Sequence, residues 1–460
     1  MRRPRRSGLQ ARGSTALSTA LSTEPSPTGP PGAGRQPTCS HSRTSRTRRP
    51  RGWRRRAQPD GAPRRHVSDA WVTALQTARR SRPPIGPRGR AEPTGASGTR
   101  TCEQDGTASV GAVAVLLGSH EVFAEHDPGP GHPESPSRVA AALRGIADAG
   151  LADAVVPFLP RRATREELVR VHDVGYLSAL EERCLLGGGQ LDPDTVVSSW
   201  SFEAALRSAG AGLEAVERLD RGEAPAAFLA VRPPGHHATA TGAMGFCLVN
   251  SVAVTAAALL ARGERVLLVD WDAHHGNGTQ AAFYDEPELL FVSMHQYPFY
   301  PGTGALDEIG RGAGEGATIN VPFPAGTSGD AYRLAVDELV VPAAEQFAPT
   351  WLLVSAGFDA HRADPLTDLA LTAGDFADLT ERLCRLVVPG RRVLFLEGGY
   401  DLAALAASAG ATVAALAGVR YRPAPASSGG PDGTDSVARG SRAELVVTAA
   451  RRLHEHHARP

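Results

Sequence analysis

Lysine is absent from this chain, so all 49 of its basic residues are arginine. That goes with heavy use of alanine, glycine and proline and reads as a coding bias rather than a functional choice. Cysteine is scarce. Cys39, Cys102, Cys184, Cys247 and Cys384 are scattered, odd in number and without a CxxC pair. This argues against a disulfide framework or a thiolate zinc site and for a reducing compartment, here the cytoplasm. No apolar run approaches the ~20 residues that span a bilayer, and the longest, 251–261, reads as a buried helix. Net charge is missing too, at zero overall, but the zero hides a split. Residues 1–100 carry 22 arginines against 4 acidic residues, and the remainder carries 27 against 45.

What is present falls into three regions. Residues 1–110 are rich in Arg, Ser, Thr, Pro and Gly and lack apolar periodicity. Such a stretch buries too little surface to offset its chain entropy and is expected to be disordered. Three readings of it stay open: a functionless tail or overextended gene start, a tether to nucleic acid or another acidic surface, and an organelle transit segment. Residues 111–418 alternate short β-branched runs with longer amphipathic ones. Strands are expected at 112–117, 227–231, 265–269, 289–294, 351–355 and 393–396, and helices at 201–219, 247–262, 329–345 and 375–386. That alternation predicts a mostly parallel sheet between helices. Residues 419–460 read as a linker and one C-terminal helix, 442–457. Its terminal HEHH reads as a solvated cluster rather than a chelate.

The polar motifs sit where the strands end. VRPPGHHA follows the second expected strand, VDWDAHHGNG the third, SMHQYP the fourth, SAGFDAH the fifth and LEGGYD the sixth. In an open α/β sheet the carboxyl ends of the strands are where ligands bind. If VDWDAHH stays extended, Asp270, Asp272 and His274 share one face, with Trp271 and Ala273 on the other. Carboxylates and imidazole suit zinc, which in catalytic sites takes three protein ligands and keeps one position open. Asp359, in SAGFDAH, is the candidate third ligand. His236 and His237 are candidates for proton transfer, because an unperturbed imidazole titrates near neutral pH.

HDPGPGHPESPSR, VRPPGHHA, GFCLVN, VDWDAHHGNGT, PFYPGTG, SAGFDAHRADPL and LEGGYDL, in this order, resemble the zinc-dependent histone deacetylase family. The likeness is greatest to its class II type and its bacterial deacetylase-like and acetylpolyamine amidohydrolase relatives. The resemblance implies a three-layer, arginase-like α/β fold with about eight mostly parallel strands. It implies Asp272, His274 and Asp359 as ligands of one Zn²⁺, with Fe²⁺ or Co²⁺ as substitutes. Asp270, with backbone near Ser293 and Met294, matches a structural potassium site. His237 matches the general base and acid, His236 its partner held by Asp270, and Tyr400 the donor to the oxyanion. Asn277 stands where class I members carry an Asp that pairs with this histidine, so a lower His237 pKa is expected. Gly245, Phe246 and Tyr300 match the walls of the substrate channel, and Arg138 an arginine near the cavity by which acetate leaves.

The implied reaction removes an acyl group from a protein lysine or a small acylated amine such as an acetylpolyamine. No long insertion precedes Gly245, which points to an open site. Two rivals remain at this stage. An arginase-like ureohydrolase needs more bridging aspartates, and Gly276 stands where that pattern would place one. An inactive acetyl-amine reader would have little use for both histidines, all three ligands and Tyr400. No membrane partner is expected, nucleic acid only through the tail, and the oligomeric state stays open.

Overall fold

The computed structural model describes residues 114–429 and 437–457. The 1–110 tail and residues 430–436 of the expected linker lie outside the described residues. Eight strands form one sheet: β1 (Val115–Gly118), β2 (Val155–Phe158), β5 (Ala227–Leu229), β6 (Val266–Asp270), β7 (Leu289–Gln296), β8 (Thr318–Phe323), β9 (Trp351–Ala356) and β10 (Arg392–Leu396). A separate antiparallel hairpin joins β3 (Gly188–Gln190) to β4 (Val196–Ser198). The sheet order is β2-β1-β5-β10-β9-β6-β7-β8, and every neighbouring pair in it is parallel.

Strands β6, β7 and β9 are buried along their whole length, so they read as continuous apolar runs rather than as alternation. Helices Ser201–Asp220 and Ser251–Leu260 pack together as one outer layer. Ser137–Asp148, Ala373–Leu383 and Leu402–Leu416 pack as the other. The C-terminal helix, Arg442–His457, lies against the edge strand β8. An edge covered by a helix offers no free ladder for another chain.

The six expected strands are present, each shifted by a few residues at most. β2 and β8 were not anticipated, because their four and six residues include prolines, Pro157 and Pro322 that weaken the strand signal. The helix expected from Cys247 begins only at Ser251. Asn250 caps it there, its side chain accepting from Ala253 N–H at 3.0 Å. Among the described residues no helix is long and apolar enough to cross a membrane.

Candidate metal and acyl-transfer site

Strand β6 ends at Asp270, and the chain turns rather than staying extended. The Asp270 Oδ1 atom accepts from Asp272 N–H at 3.0 Å, and Asp272 Oδ1 from His274 N–H at 3.0 Å. These side-chain-to-backbone turns bring the acidic groups together, where the sequence suggested strand alternation. Trp271 and Ala273 are fully buried on the apolar side, with Trp271 against Phe376.

His274 Nδ1 lies 3.1 Å from Asp272 Oδ1 and 3.0 Å from Asp359 Oδ2. The other carboxylate oxygens are held by backbone donors, Gly398 N–H to Asp272 Oδ2 at 2.8 Å and Ala273 N–H to Asp359 Oδ1 at 2.8 Å. A side chain at position 398 would collide with both carboxylates, with an added Cβ 2.2 Å from Asp359 Oδ2. Burial opposes charge on His274, but its hydrogen bonds to Asp272 and Asp359 prevail and raise its pKa to about 10. Burial likewise opposes charge on Asp272, and His236 and His274 overcome it and hold its carboxyl far down. Two buried carboxylates thus crowd one imidazole nitrogen, all within 4.8 Å of one another. The donor set fits a divalent cation of the zinc type.

His236 Nδ1 is 2.9 Å from Asp270 Oδ2. Burial drives the Asp270 carboxyl up to about 6 against the pull of His236. His237 Nδ1 is 2.7 Å from Asn277 Oδ1. The amide nitrogen of Asn277 faces His237 O and Met244 Sδ, so its oxygen faces the ring and His237 Nδ1 carries the proton. Burial, reinforced by His236 and His274, holds the His237 pKa well below its ordinary value, leaving Nε2 as a free base. Burial is the largest cause, and the hydrogen bond to Asn277 itself pulls the other way.

Tyr400 leaves β10 through Gly398 and Gly399. Burial, with Asp359 nearby, holds its phenol pKa well above the ordinary value, so it stays a donor. Its ring lies 5.7 Å from Phe246. Tyr300 stands edge-on to His237 at 5.3 Å. Gly245 admits this closeness, since a Cβ there would lie 2.4 Å from the His237 ring. Phe246 itself has φ 67°, a left-handed conformation that costs about 1–3 kcal/mol and is stored where function needs it.

Several neighbours escaped the sequence. Asp194 Oδ1 and Thr195 Oγ1, between β3 and β4, accept from Gly245 N–H at 3.2 Å and Phe246 N–H at 3.1 Å. The LDPDT turn was their only signal. His132 lies 4.7 Å from Phe246 and Phe299 stacks on His274 at 5.5 Å. Both sit inside quoted motifs without an assigned role. Asp270 and Ser293 are paired across β6 and β7, and the Tyr332 hydroxyl donates to Met294 O at 3.2 Å.

Arg138 is fully buried and is not aimed into open space. It donates to Gly399 O at 2.6 Å, Glu397 O at 2.5 Å and Glu134 Oε1 at 2.9 Å, with its guanidinium 5.0 Å over the Tyr400 ring. Its partners Glu134 and Arg232 lie in the HPESPSR and VRPPGHHA motifs. A second trio, His236, Cys247 and Glu397, also brings donor atoms close together. There Glu397 Oε2 already accepts from Gly235 N–H at 2.6 Å and His236 N–H at 3.3 Å, and burial keeps the Cys247 thiol protonated. The terminal histidines form no such group among the described residues. His457 pairs with Glu315 at 3.1 Å.

Comparison with known proteins agrees with this geometry. A family model described as the histone deacetylase domain matches residues 132–416. A probable deacetylase of Archaeoglobus fulgidus is 39% identical over 289 residues, 62% of this chain and 80% of that protein. Histone deacetylase 15 of Arabidopsis thaliana is 40% identical over 293 residues, 62% of this chain but only 53% of its own length. The crystal structure of the HDA15 HD domain superposes with a TM-score of 0.68 at 34% identity, covering 75% of this chain and 95% of that one. Histone deacetylase 14 of Arabidopsis, named chloroplastic, is 40% identical over 278 residues.

Proposed function

This chain belongs to the histone deacetylase family, and on that footing we propose a zinc-dependent amidohydrolase that deacylates acyl-lysine or a small acylated amine. The observation that carries this reading is the convergence of Asp272, His274 and Asp359, with a neutral imidazole and a protonated phenol nearby. When bound, the metal polarises the substrate carbonyl and acidifies a water. Fe²⁺ and Co²⁺ accept the same donors.

The remaining work falls to side chains. His237, its Nδ1–H fixed on Asn277, takes a proton at Nε2 from the attacking water and returns it to the leaving amine. His236, held by Asp270, sets the field around it. The Tyr400 hydroxyl donates to the substrate carbonyl and then to the oxyanion. Gly245, Phe246 and Tyr300 flank the methylene stem and exclude water. Arg138, its guanidinium over the Tyr400 ring, stands beside the route by which acetate would leave. A structural potassium ion on Asp270 and backbone near Ser293 and Met294 belongs to the same reading. Asp270 bonds to His236 and the Asp272 backbone, which disfavours a bridging role and with it a dinuclear ureohydrolase. The free thiols of Cys184, Cys247 and Cys384 suit a reducing compartment such as the cytoplasm.

The test is turnover by the full chain, with metal content measured on the same sample. The panel holds acetyl-lysine and trifluoroacetyl-lysine peptides, acetylpolyamines and arginine. The expected result is release of acid from an acylated amine with about one metal per chain, and the preferred substrate identifies the branch. His237→Ala should abolish turnover and keep the metal. Urea from arginine, or two metals per chain, would overturn the reading.

A further inference from the structure

Strands β5 and β10 are neighbours, with Phe395 beside Leu229. Past their ends they diverge into separate loops, one carrying His236 and His237 and the other carrying Tyr400. Proton transfer and carbonyl activation occur on one substrate, so these loops must hold a fixed spacing after the sheet ladder has stopped.

We propose that Glu397 is a positioning residue whose side chain replaces that ladder and fixes the histidine loop against the tyrosine loop. It is the residue immediately after β10 and is 1% exposed. Its Oε2 accepts from Gly235 N–H at 2.6 Å and His236 N–H at 3.3 Å, and the Ser355 hydroxyl lies 3.4 Å from Oε1. Among the described residues no arginine pairs with this carboxylate. Its hydrogen-bond partners are two backbone donors and one hydroxyl.

Burying a carboxylate without an ion-pair partner is costly, and an apolar residue would be cheaper if only volume were needed. What an apolar residue lacks is an acceptor for two buried N–H groups. Those two groups belong to the catalytic loop. The opposite side of the same loop is held as well: His236 O accepts from Gly278 N–H at 3.0 Å and Thr279 N–H at 3.1 Å. Gly235 is wedged, since a Cβ there would meet Val249 O and Ser251 N at 2.8 Å. With Glu397 in place the loop has nowhere to move. Without it, only the Glu397 side of the loop is released.

The tyrosine loop is pinned independently. Arg138 holds Glu397 O and Gly399 O, Asp272 accepts from Gly398 N–H, and Asp364 Oδ2 accepts from Tyr400 N–H at 2.7 Å. Loss of the Glu397 side chain therefore shifts the histidines relative to a fixed Tyr400 and a fixed metal site.

This inference rests on the roles proposed above for His237 and Tyr400. Its test uses the full, metal-loaded chain as wild type, Glu397→Met and Glu397→Gln, on a substrate the wild type turns over. Methionine keeps the volume and removes the acceptor. Glutamine keeps an oxygen that can accept both N–H groups, and its amide can donate to the Ser355 hydroxyl.

Glu397→Met is expected to lose kcat by about tenfold to a hundredfold, the effect of a sub-ångström to ångström misplacement, with KM and metal content little changed. Glu397→Gln is expected to stay within about threefold of wild type, because the acceptor is preserved. A wild-type kcat in Glu397→Met would overturn the proposal. So would a Glu397→Gln as slow as the methionine variant, or a loss of turnover that tracks a loss of metal. If Glu397→Met does not fold, a Glu397→Gln slower than wild type by about tenfold or more at unchanged metal content overturns the proposal. No turnover by the wild type would instead overturn the functional reading and this inference with it.

Discussion

Two buried charged clusters lie at the carboxyl edge of the same sheet, and they are built on opposite rules. In one, Arg138 and Arg232 surround Glu134, all fully buried. Their donors are taken up: Arg138 by Gly399 O, Glu397 O and Glu134, and Arg232 by both Glu134 oxygens, Glu134 O and Phe123 O. His126, 3.3 Å from Glu134, is kept neutral mainly by burial. In the other, Asp270, Asp272 and Asp359 outnumber the imidazoles between them, and two carboxylates converge on a single nitrogen. Buried charges whose donors and acceptors are saturated by opposite charge and peptide dipoles hold loops in place. Buried like charges that converge mark a place for a cation.

The largest expected effect tests the acidic cluster. Stripping the metal with a chelator, or Asp359→Ala, should lower turnover by at least about a thousandfold. Added Zn²⁺ should restore only the chelated wild type. Activity assayed beside metal content checks this, and an active metal-free protein would erase the distinction between the clusters. Next comes the basic cluster. Glu134→Ala leaves two guanidinium groups uncompensated and should cost about 3–5 kcal/mol of stability, read from denaturant midpoints. A variant as stable as wild type would show that the carboxylate is not what holds those arginines.

Tyr400 lies between the two, under the Arg138 guanidinium and on the wall of the acidic site. Tyr400→Phe should reduce kcat by about 10²–10³ and keep both metal and melting temperature. A near wild-type rate would mean that the hydroxyl does not face the reacting carbonyl. The smallest effect concerns a histidine outside both clusters. His172 is 2% exposed, its Nδ1 2.9 Å from Thr239 O and its Nε2 accepting from Asn250 N–H at 2.9 Å. Burial lowers its pKa from 6.5 to about 4 against the Thr239 bond. Between those values the unfolded chain binds a proton that the folded chain does not. Stability should therefore fall as pH drops from about 6.5 to about 4, by about 3 kcal/mol in all. The check is unfolding free energy against pH, with a flatter profile expected for His172→Gln.

The difference between the clusters was only half legible in the sequence. Asp272, His274 and Asp359 stood out because carboxylates and imidazoles crowd the ends of apolar runs, where an α/β sheet binds ligands. Arg138 was singled out too, but its partners were not: Glu134 is four residues away and Arg232 almost a hundred. The four-residue spacing could have pointed to Glu134, but no local pattern reaches Arg232. Asp194 and Thr195 were missed for a related reason. They reach Gly245 and Phe246 through a short glycine-rich hairpin whose strand signal is weak.

The sequence by itself determined the fold class, the polar motif at each strand end and the residue types available for chemistry. Those follow from periodicity and from motifs that are local and long. Only the tertiary structure decided that β5, β10, β9, β6 and β7 lie side by side, so that five motifs scattered over some 170 residues share one edge. Only the fold, too, turned Asp272 toward Asp359, set Glu397 against the histidine loop and spent Arg138 on backbone carbonyls. Strand order and buried polar pairing come from packing across long sequence separations, which no local pattern encodes.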